Sequence, residues 1–322
     1  MKKKSLLKNL VKIIITMILI ILLIKKLDIE NLEKSIGMLR KKDIYAAVVI
    51  YLISVELNAV KWKILLPKVS ILKLSKTCFK AQFYSMVLPG QLFGEASKVI
   101  DLKESSESYG KVASSVIVDK VTALIGMMVV GIIGIAFTSI KVPDTLRLLF
   151  VIMLIVLLVL LMSGRVQFFN KIVVYYCYSL WKSSKYRVRK IAKKLYGLYQ
   201  VWRGYSNEGR VLLGSVFAGA VNQVLGVFQV WMISNNMGLN INYLEYCWIM
   251  PTVAVILLLP ISFGGLGVRE ISLSGFLALF GAASEDAIVI SVLLLFSQIV
   301  AAIIGLIVIG YDWAKGNRKR CL

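Results

Sequence analysis

Leu257-Leu-Leu-Pro-Ile-Ser-Phe-Gly-Gly-Leu-Gly-Val-Arg-Glu270 is an apolar run that one proline and three glycines interrupt before two charged residues. In the hydrocarbon core of a membrane, a broken backbone is tolerated only where protein or water satisfies its free N–H and C=O groups. A membrane-embedded Arg is also unfavourable, by roughly 2.5–3.5 kcal/mol on the insertion scale. The stretch therefore predicts a site inside a membrane protein. The alternative is a polar turn at the membrane surface.

A second copy of the pattern, Leu88-Pro-Gly-Gln-Leu-Phe-Gly-Glu-Ala-Ser-Lys98, occurs earlier in the chain. Both copies read Leu-Pro-x4-Gly-x3-(Lys/Arg), and each has a carboxylate beside the glycine or the cation. The repetition indicates a duplicated half-molecule. The predicted substrate-binding residues are those of the two motifs, namely Pro89, Gly90, Gly94, Glu95, Lys98, Pro260, Gly264, Gly265, Gly267, Arg269 and Glu270.

The two motif cations suggest how an anionic ligand is held. We hypothesise that Lys98 and Arg269 bind a phosphate with the help of free backbone amides at the glycines, while Glu95 and Glu270 balance their charge. The alternative is that each cation only pairs with its neighbouring carboxylate.

Composition indicates a polytopic α-helical membrane protein, because 58% of the 322 residues are hydrophobic and mean hydropathy is +0.79. The net charge of +22 comes largely from short connections between apolar runs, which is the positive-inside pattern and argues against nucleic-acid binding. Histidine is absent, and the four cysteines show no C-x-x-C spacing. The sequence therefore predicts no metal site, no cofactor and no catalytic residue.

Hydropathy predicts six full spans and two broken hairpins, since the apolar pieces beside each Pro-Gly motif are too short to cross a core of about 30 Å. The predicted spans are Leu10–Ile24, Ile44–Leu66, Val112–Ile140, Leu146–Met162, Val211–Ile233 and Ala287–Tyr311.

The fold class is thus an all-α polytopic membrane protein with two re-entrant hairpins in two inverted halves. The predicted segments are a first half (1–164), a basic connector (165–210), a second half (211–314) and a basic tail (315–322). The connector carries eleven Lys/Arg, which favours either an amphipathic helix on an anionic leaflet or a plain cytoplasmic link.

Loop charges predict the orientation of the chain in a cell membrane. Ser234–Glu245 and Ala282–Asp286 contain no Lys or Arg and are expected outside, so both termini and the connector are expected in the cytoplasm.

Polar residues within the spans form a second group of candidates for a shared cavity: Glu56, Asp119, Lys120, Asn222 and Gln223. Asp119 and Lys120 are adjacent, so on a helix they point about 100° apart. They cannot both face one narrow groove, so the alternative is that one of them lies near the cytoplasmic interface.

The first motif with Lys98, the Asp119-Lys120 pair and the second motif ending at Arg269-Glu270 together resemble the lysylphosphatidylglycerol synthase transmembrane-region family, over nearly the whole chain. The usual family pattern has Gly-Gly-Glu and Arg where this chain has Phe93-Gly94-Glu95 and Lys98, and often Glu-Arg where it has Asp119-Lys120. Lys keeps the charge but loses bidentate binding of phosphate.

The resemblance implies a flippase-like membrane domain, here a stand-alone member without the cytoplasmic lysyltransferase domain, so a lysyltransferase activity is not expected. It implies translocation between leaflets of an anionic or aminoacylated phospholipid (of the lysylphosphatidylglycerol type) or of a polyprenyl-phosphate-linked lipid. A membrane-embedded transferase and a subunit that acts with a separate synthase or glycosyltransferase are the alternatives.

Overall fold

The computed structural model describes residues 29–87, 92–102, 108–182, 186–259 and 265–318. Helix accounts for 87% of these residues, and no strand occurs among them. The helices, with one 3-10 turn at Ala278–Phe280, are α1 (Ile29–Gly37), α2 (Lys41–Leu65), α3 (Ile71–Val87), α4 (Leu92–Asp101), α5 (Tyr109–Phe137), α6 (Asp144–Met162), α7 (Gln167–Trp181), α8 (Tyr186–Asn207), α9 (Gly209–Asn236), α10 (Tyr243–Leu258), α11 (Val268–Leu277) and α12 (Ser284–Arg318).

Five helices of the described part are long and apolar enough to cross a membrane: α2, α5, α6, α9 and α12. They coincide with five of the six predicted spans, and the other, Leu10–Ile24, lies outside the described residues. At a rise of 1.5 Å per residue, each of the five described helices is long enough to cross a hydrocarbon core of about 30 Å. The prediction of a polytopic α-helical membrane protein is confirmed.

Each Pro-Gly motif interrupts a pair of shorter helices. The first motif follows α3 and extends into α4, and the second extends from the end of α10 into the start of α11. α4 and α11 have ten residues each, and a helix of that length reaches only about 15 Å, half of the hydrocarbon core. Pro89, Gly90, Pro260 and Gly264, four of the predicted site residues, lie outside the described residues.

Two of the long helices pack closely on shorter ones, α5 on α10 and α12 on α3. In α5, a Cβ added at Gly134 would lie 2.7 Å from the backbone nitrogen of Trp248 in α10. In α12, a Cβ added at Gly305 would lie 2.1 Å from the carbonyl oxygen of Phe79 in α3. Such close helix contacts through glycine are typical of membrane bundles.

The connector folds into α7 and α8, and α8 packs on one end of the bundle. The Tyr205 hydroxyl donates to the Leu65 carbonyl at 2.7 Å, and the Ser206 hydroxyl donates to that of Leu161 at 2.9 Å. Ser114 of α5 donates to the Leu198 carbonyl at 3.2 Å. We call the end of the bundle where α2 and α6 finish and α5 and α9 begin the connector end. α7 packs on α8 and exposes the aromatic side chains of Tyr175, Tyr176, Tyr178 and Trp181.

Candidate functional site

A polar cavity of about 290 Å³ lies where α2, α3, α4, α5 and α9 meet. Apolar side chains line part of it, but amide and charged groups dominate the wall. Ionisable residues within membrane helices are rare and mark functional sites by default. The polar residues that line the cavity are Asn58, Gln82, Ser85, Glu95, Lys98, Asp119, Lys120, Asn222 and Gln223.

The first motif contributes one ion pair to this cavity. Lys98 Nζ lies 2.9 Å from Glu95 Oε2, one turn away on α4, and also 5.3 Å from the centre of the Trp62 ring. Trp62 is itself fixed, because its indole N–H donates to Ser115 Oγ at 3.0 Å. Gly94 lets α4 approach α3, since a Cβ there would lie 2.7 Å from the Ala81 carbonyl oxygen. Lys98 is therefore held between a carboxylate and an aromatic face.

A second buried ion pair joins α2 to α5. Lys61 is 1% exposed, and its Nζ lies 3.0 Å from Asp119 Oδ1 and donates to the Asp119 carbonyl oxygen at 2.5 Å. Removing two charges from water is unfavourable unless they are paired, so the two side chains depend on each other. Asp119 lines the cavity, and Lys61 supports it from behind.

Asp119 and Lys120 both line the cavity. The reason is the width of the cavity along α5, where its wall includes two adjacent rows of the helix. One row contains Asp119, Ala123 and Met127, and the other contains Lys120 and Leu124. Neighbouring residues about 100° apart can both reach such a broad surface.

Amide side chains on α2, α3 and α9 complete the wall of the cavity. Asn222 accepts a hydrogen bond from the Ser54 hydroxyl at 2.8 Å, and its Nδ2 donates to Asn58 Oδ1 at 3.5 Å. Gln223 follows it on α9. On α3, Gln82 accepts from the Tyr51 hydroxyl at 3.1 Å. The predicted cavity residues Asp119, Lys120, Asn222 and Gln223 thus lie together with Gly94, Glu95 and Lys98 of the first motif.

The second motif forms a separate buried cluster between α11 and α12. Arg269 Nε donates to Ser291 Oγ at 2.7 Å, and Arg269 Nη2 lies 3.3 Å from Glu270 Oε1. The Ser291 hydroxyl in turn donates to Glu270 Oε1 at 2.5 Å. Neither Arg269 nor Glu270 lines the cavity.

Two glycines of the second motif have backbone angles that other residues rarely adopt. Gly265 has φ +78° and Gly267 has φ +81°, and this left-handed region is open mainly to glycine. The turn brings the Gly267 N–H to Glu270 Oε2 at 2.6 Å, so Glu270 closes the first turn of α11. Glu270 therefore stabilises a helix start as well as pairing with Arg269.

Two residues differ from their sequence-based assignment. Glu56 is exposed, accepts a hydrogen bond from Ser75 at 2.6 Å, and is not among the cavity residues. Lys61 was not among the candidates, yet it pairs with Asp119. The sequence does contain a pattern that indicates Lys61 as a candidate. Ser54, Asn58 and Lys61 follow one another at spacings of four and three residues, so they lie on one polar face of the helix. Among the described residues, no group of His, Cys, Asp and Glu could hold a metal ion.

Two comparisons with known proteins each find a match that covers most of the chain. The sequence profile of a family described as "Lysylphosphatidylglycerol synthase TM region" matches residues 9–308. A protein named "UPF0104 membrane protein" from Pyrococcus horikoshii is 25% identical over 288 residues, which cover 82% of this chain and 85% of that protein. No solved structure matches.

Proposed function

Because the chain belongs to the lysylphosphatidylglycerol synthase transmembrane-region family, we propose that it moves a phosphate-bearing lipid between the two leaflets of the cell membrane. The cargo is a phospholipid, of the lysylphosphatidylglycerol type or simpler, or a polyprenyl-phosphate-linked lipid. The single observation that carries the proposal is the polar cavity among membrane-spanning helices, with its two ion pairs and a third lysine.

The size of the cavity supports this function. A volume of about 290 Å³ accommodates a polar headgroup but not a whole lipid. The acyl chains therefore stay in the bilayer while the headgroup passes through the protein. Polar and charged groups on the wall replace water around the headgroup, which lowers the barrier that the hydrocarbon core imposes.

The arrangement of the helices also supports the proposed lipid translocation. α4 carries Glu95 and Lys98 on a short helix that covers only half of a membrane core. In transporters, sites formed by broken helices at the interface of two repeats alternate between the two sides. We propose that the two halves are inverted and that the connector end faces the cytoplasm, which the basic connector favours.

Proteoliposomes provide the test. The purified chain is reconstituted in vesicles that contain phosphatidylglycerol with a fluorescent acyl chain, and dithionite is added outside to bleach accessible label. The label in the inner leaflet is expected to become accessible much faster than in protein-free vesicles, and Lys120→Met is expected to slow this exchange. Lys68→Met serves as the control, since Lys68 is an exposed lysine of the α2–α3 loop. Exchange no faster than in empty vesicles would refute a translocase that acts alone.

A second candidate is a membrane subunit that acts with a separate synthase or glycosyltransferase. The observation that favours it is α7, whose exposed aromatic side chains lie beside the exposed cations Lys171 and Lys182. Under this alternative, the purified chain is inactive in vesicles and gains activity only when the synthase is reconstituted with it. Replacing Tyr175 and Trp181 with Ser would then abolish the gain.

A further inference from the structure

α7 presents an aromatic face that the described part of the chain leaves exposed. The side chains of Val174, Tyr175, Tyr178 and Trp181 are between 44% and 69% exposed. Val174, Tyr178 and Trp181 also form one wall of an apolar groove of about 330 Å³, and Ala192 of α8 lies on its other wall. A contiguous apolar surface of this kind indicates contact with an apolar partner. We call it the aromatic face of α7.

Lysines flank the aromatic face of α7. Lys171, Tyr175, Tyr178 and Lys182 follow one another at spacings of four, three and four residues, so they lie along one side of the helix. Lys182 Nζ lies 4.8 Å from the centre of the Tyr178 ring, and Lys193 of α8 lines the groove. Aromatic rings with neighbouring lysines are typical of the membrane–water interface, where the rings lie at headgroup level and the ammonium groups reach the water.

The position of α7 favours a membrane over a protein as the partner of this face. Only residues 163–166 connect α7 to α6, a membrane span whose apolar side chains are mostly exposed. Asn170 Nδ2 donates to the Gly164 carbonyl oxygen at 3.3 Å, and the Trp202 indole N–H donates to Ser163 Oγ at 3.2 Å. These hydrogen bonds hold the start of α7 beside the end of α6. The aromatic face therefore continues a surface that lipid already covers.

The charge of the connector selects the kind of lipid. Residues 165–210 contain eleven Lys/Arg but a single acidic residue, Glu208. Each basic residue near the surface of an anionic leaflet adds to the attraction, and a zwitterionic leaflet offers no comparable attraction. The surface that α7 and α8 form is therefore complementary to anionic headgroups.

From these observations we infer that the aromatic face of α7, with the groove between α7 and α8, binds the surface of an anionic lipid leaflet. Acyl chains fill the groove, and Lys171, Lys182 and Lys193 contact the lipid phosphates. The surface lies outside the polar cavity, so the inference does not rest on the proposed translocation. It also lies beside α5, because Ser114 of α5 donates to the Leu198 carbonyl of α8. Anionic lipid is thus gathered at the connector end of a helix that lines the cavity.

Quenching of Trp181 fluorescence by brominated lipid tests the inference on the full chain. Nanodiscs contain equal amounts of phosphatidylcholine and phosphatidylglycerol, and bromine is placed on the acyl chains of one lipid or of the other. The chain has six tryptophans, so the Trp181 signal is the difference between the wild type and Trp181→Phe. We expect both lipids to quench Trp181, and brominated phosphatidylglycerol to do so at least about twofold more strongly.

The outcomes are distinct. Absence of quenching by either lipid would overturn the inference, since Trp181 would then face water, a second copy of the chain or a partner protein. Equal quenching by the two lipids would overturn the preference for an anionic leaflet. Neither result depends on whether the chain moves lipid.

A variant tests the role of the lysines, which are replaced together as Lys171→Gln, Lys182→Gln and Lys193→Gln. This variant is expected to lose the preference for phosphatidylglycerol while Trp181 stays in contact with lipid. Salt at about 1 M should have the same effect on the wild type, because the Debye length then falls to about 3 Å. A preference that survives both changes would overturn the role of the lysines. Three exposed lysines at the opposite end of the bundle provide the matched control, replaced as Lys34→Gln, Lys41→Gln and Lys42→Gln.

Discussion

Lys61 and Asp119, from α2 and α5, form an ion pair of 3.0 Å in which the lysine is 1% exposed and also binds the Asp119 carbonyl oxygen. Nothing else in the described part of the cavity joins these two helices by charge. The pair fixes the Asp119 side chain at the wall of the cavity. Its strength can be tested separately from transport.

Replacing Lys61 with Met should destabilise the protein by about 3–5 kcal/mol, because the Asp119 carboxylate would then be buried without a cation. The double variant Lys61→Met with Asp119→Leu should recover much of this loss, since a neutral pair leaves no buried charge. The midpoint of thermal unfolding in detergent measures both effects. Lys68→Met is the matched control on the surface. A double variant less stable than Lys61→Met alone would contradict the pairing.

Replacing Arg269 with Gln should abolish exposure of the lipid on the outer leaflet and leave membrane insertion intact. The substitution removes the positive charge that balances Glu270 and the hydrogen bond from Arg269 Nε to Ser291 Oγ. Glu270, which closes the first turn of α11, then loses the partner that holds it in place. Arg269→Lys should retain part of the activity, because it keeps the charge but not the paired N–H groups. Arg147→Gln, at an exposed Arg of α6, is the control. Wild-type lipid exposure by Arg269→Gln would refute a functional role for the second motif.

Replacing Gly305 with Ala should destabilise the helix bundle by about 1–3 kcal/mol, as at other overpacked sites. The new Cβ would lie 2.1 Å from the Phe79 carbonyl oxygen, and that atom belongs to the backbone of α3 and cannot rotate away. Gly310→Ala is a matched control in the same helix, because a Cβ there meets nothing within 4 Å. Thermal unfolding in detergent compares the two. Equal stability of both variants would mean that α3 and α12 are not packed this closely.

Labelling of single cysteines should show the orientation of the chain. In a background without the native cysteines, Asn240→Cys and Ser284→Cys, both at exposed positions, should react with an impermeant maleimide in intact cells. Ser179→Cys, in exposed α7, should react only after permeabilisation. The expectation follows from the retention of Lys and Arg on the cytoplasmic side. Labelling of Ser179→Cys from outside would refute the proposed inversion of the two halves.

Much of the site could be predicted from the sequence, because a charged or amide residue in an apolar run is conspicuous. Asp119, Lys120 and Asn222 are each found this way, and the broken first motif adds Glu95 and Lys98. The spans are equally clear, since hydropathy alone sets their length.

The contacts between helices could not be predicted, because no local pattern states which faces meet. Lys61 therefore pairs with Asp119 without any signal that links the two positions. For the same reason, the similarity of Lys98 and Arg269 in the two motifs gave no sign that Arg269 would lie outside the cavity. The spacing within a motif is local, whereas the position of a motif in the bundle depends on packing.

The packing of α12 on α3 also has a consequence for biosynthesis. Phe79 and Gly305 are separated by roughly 230 residues, which a ribosome adds in about 10–50 s at 5–20 residues per second. During this interval, the first broken pair has emerged but its partner has not been made. Its free polar groups must then be shielded by the insertion machinery, by lipid headgroups or by a chaperone. A ribosome that stalls before Ser284 would leave a membrane-inserted intermediate that is open to proteolysis.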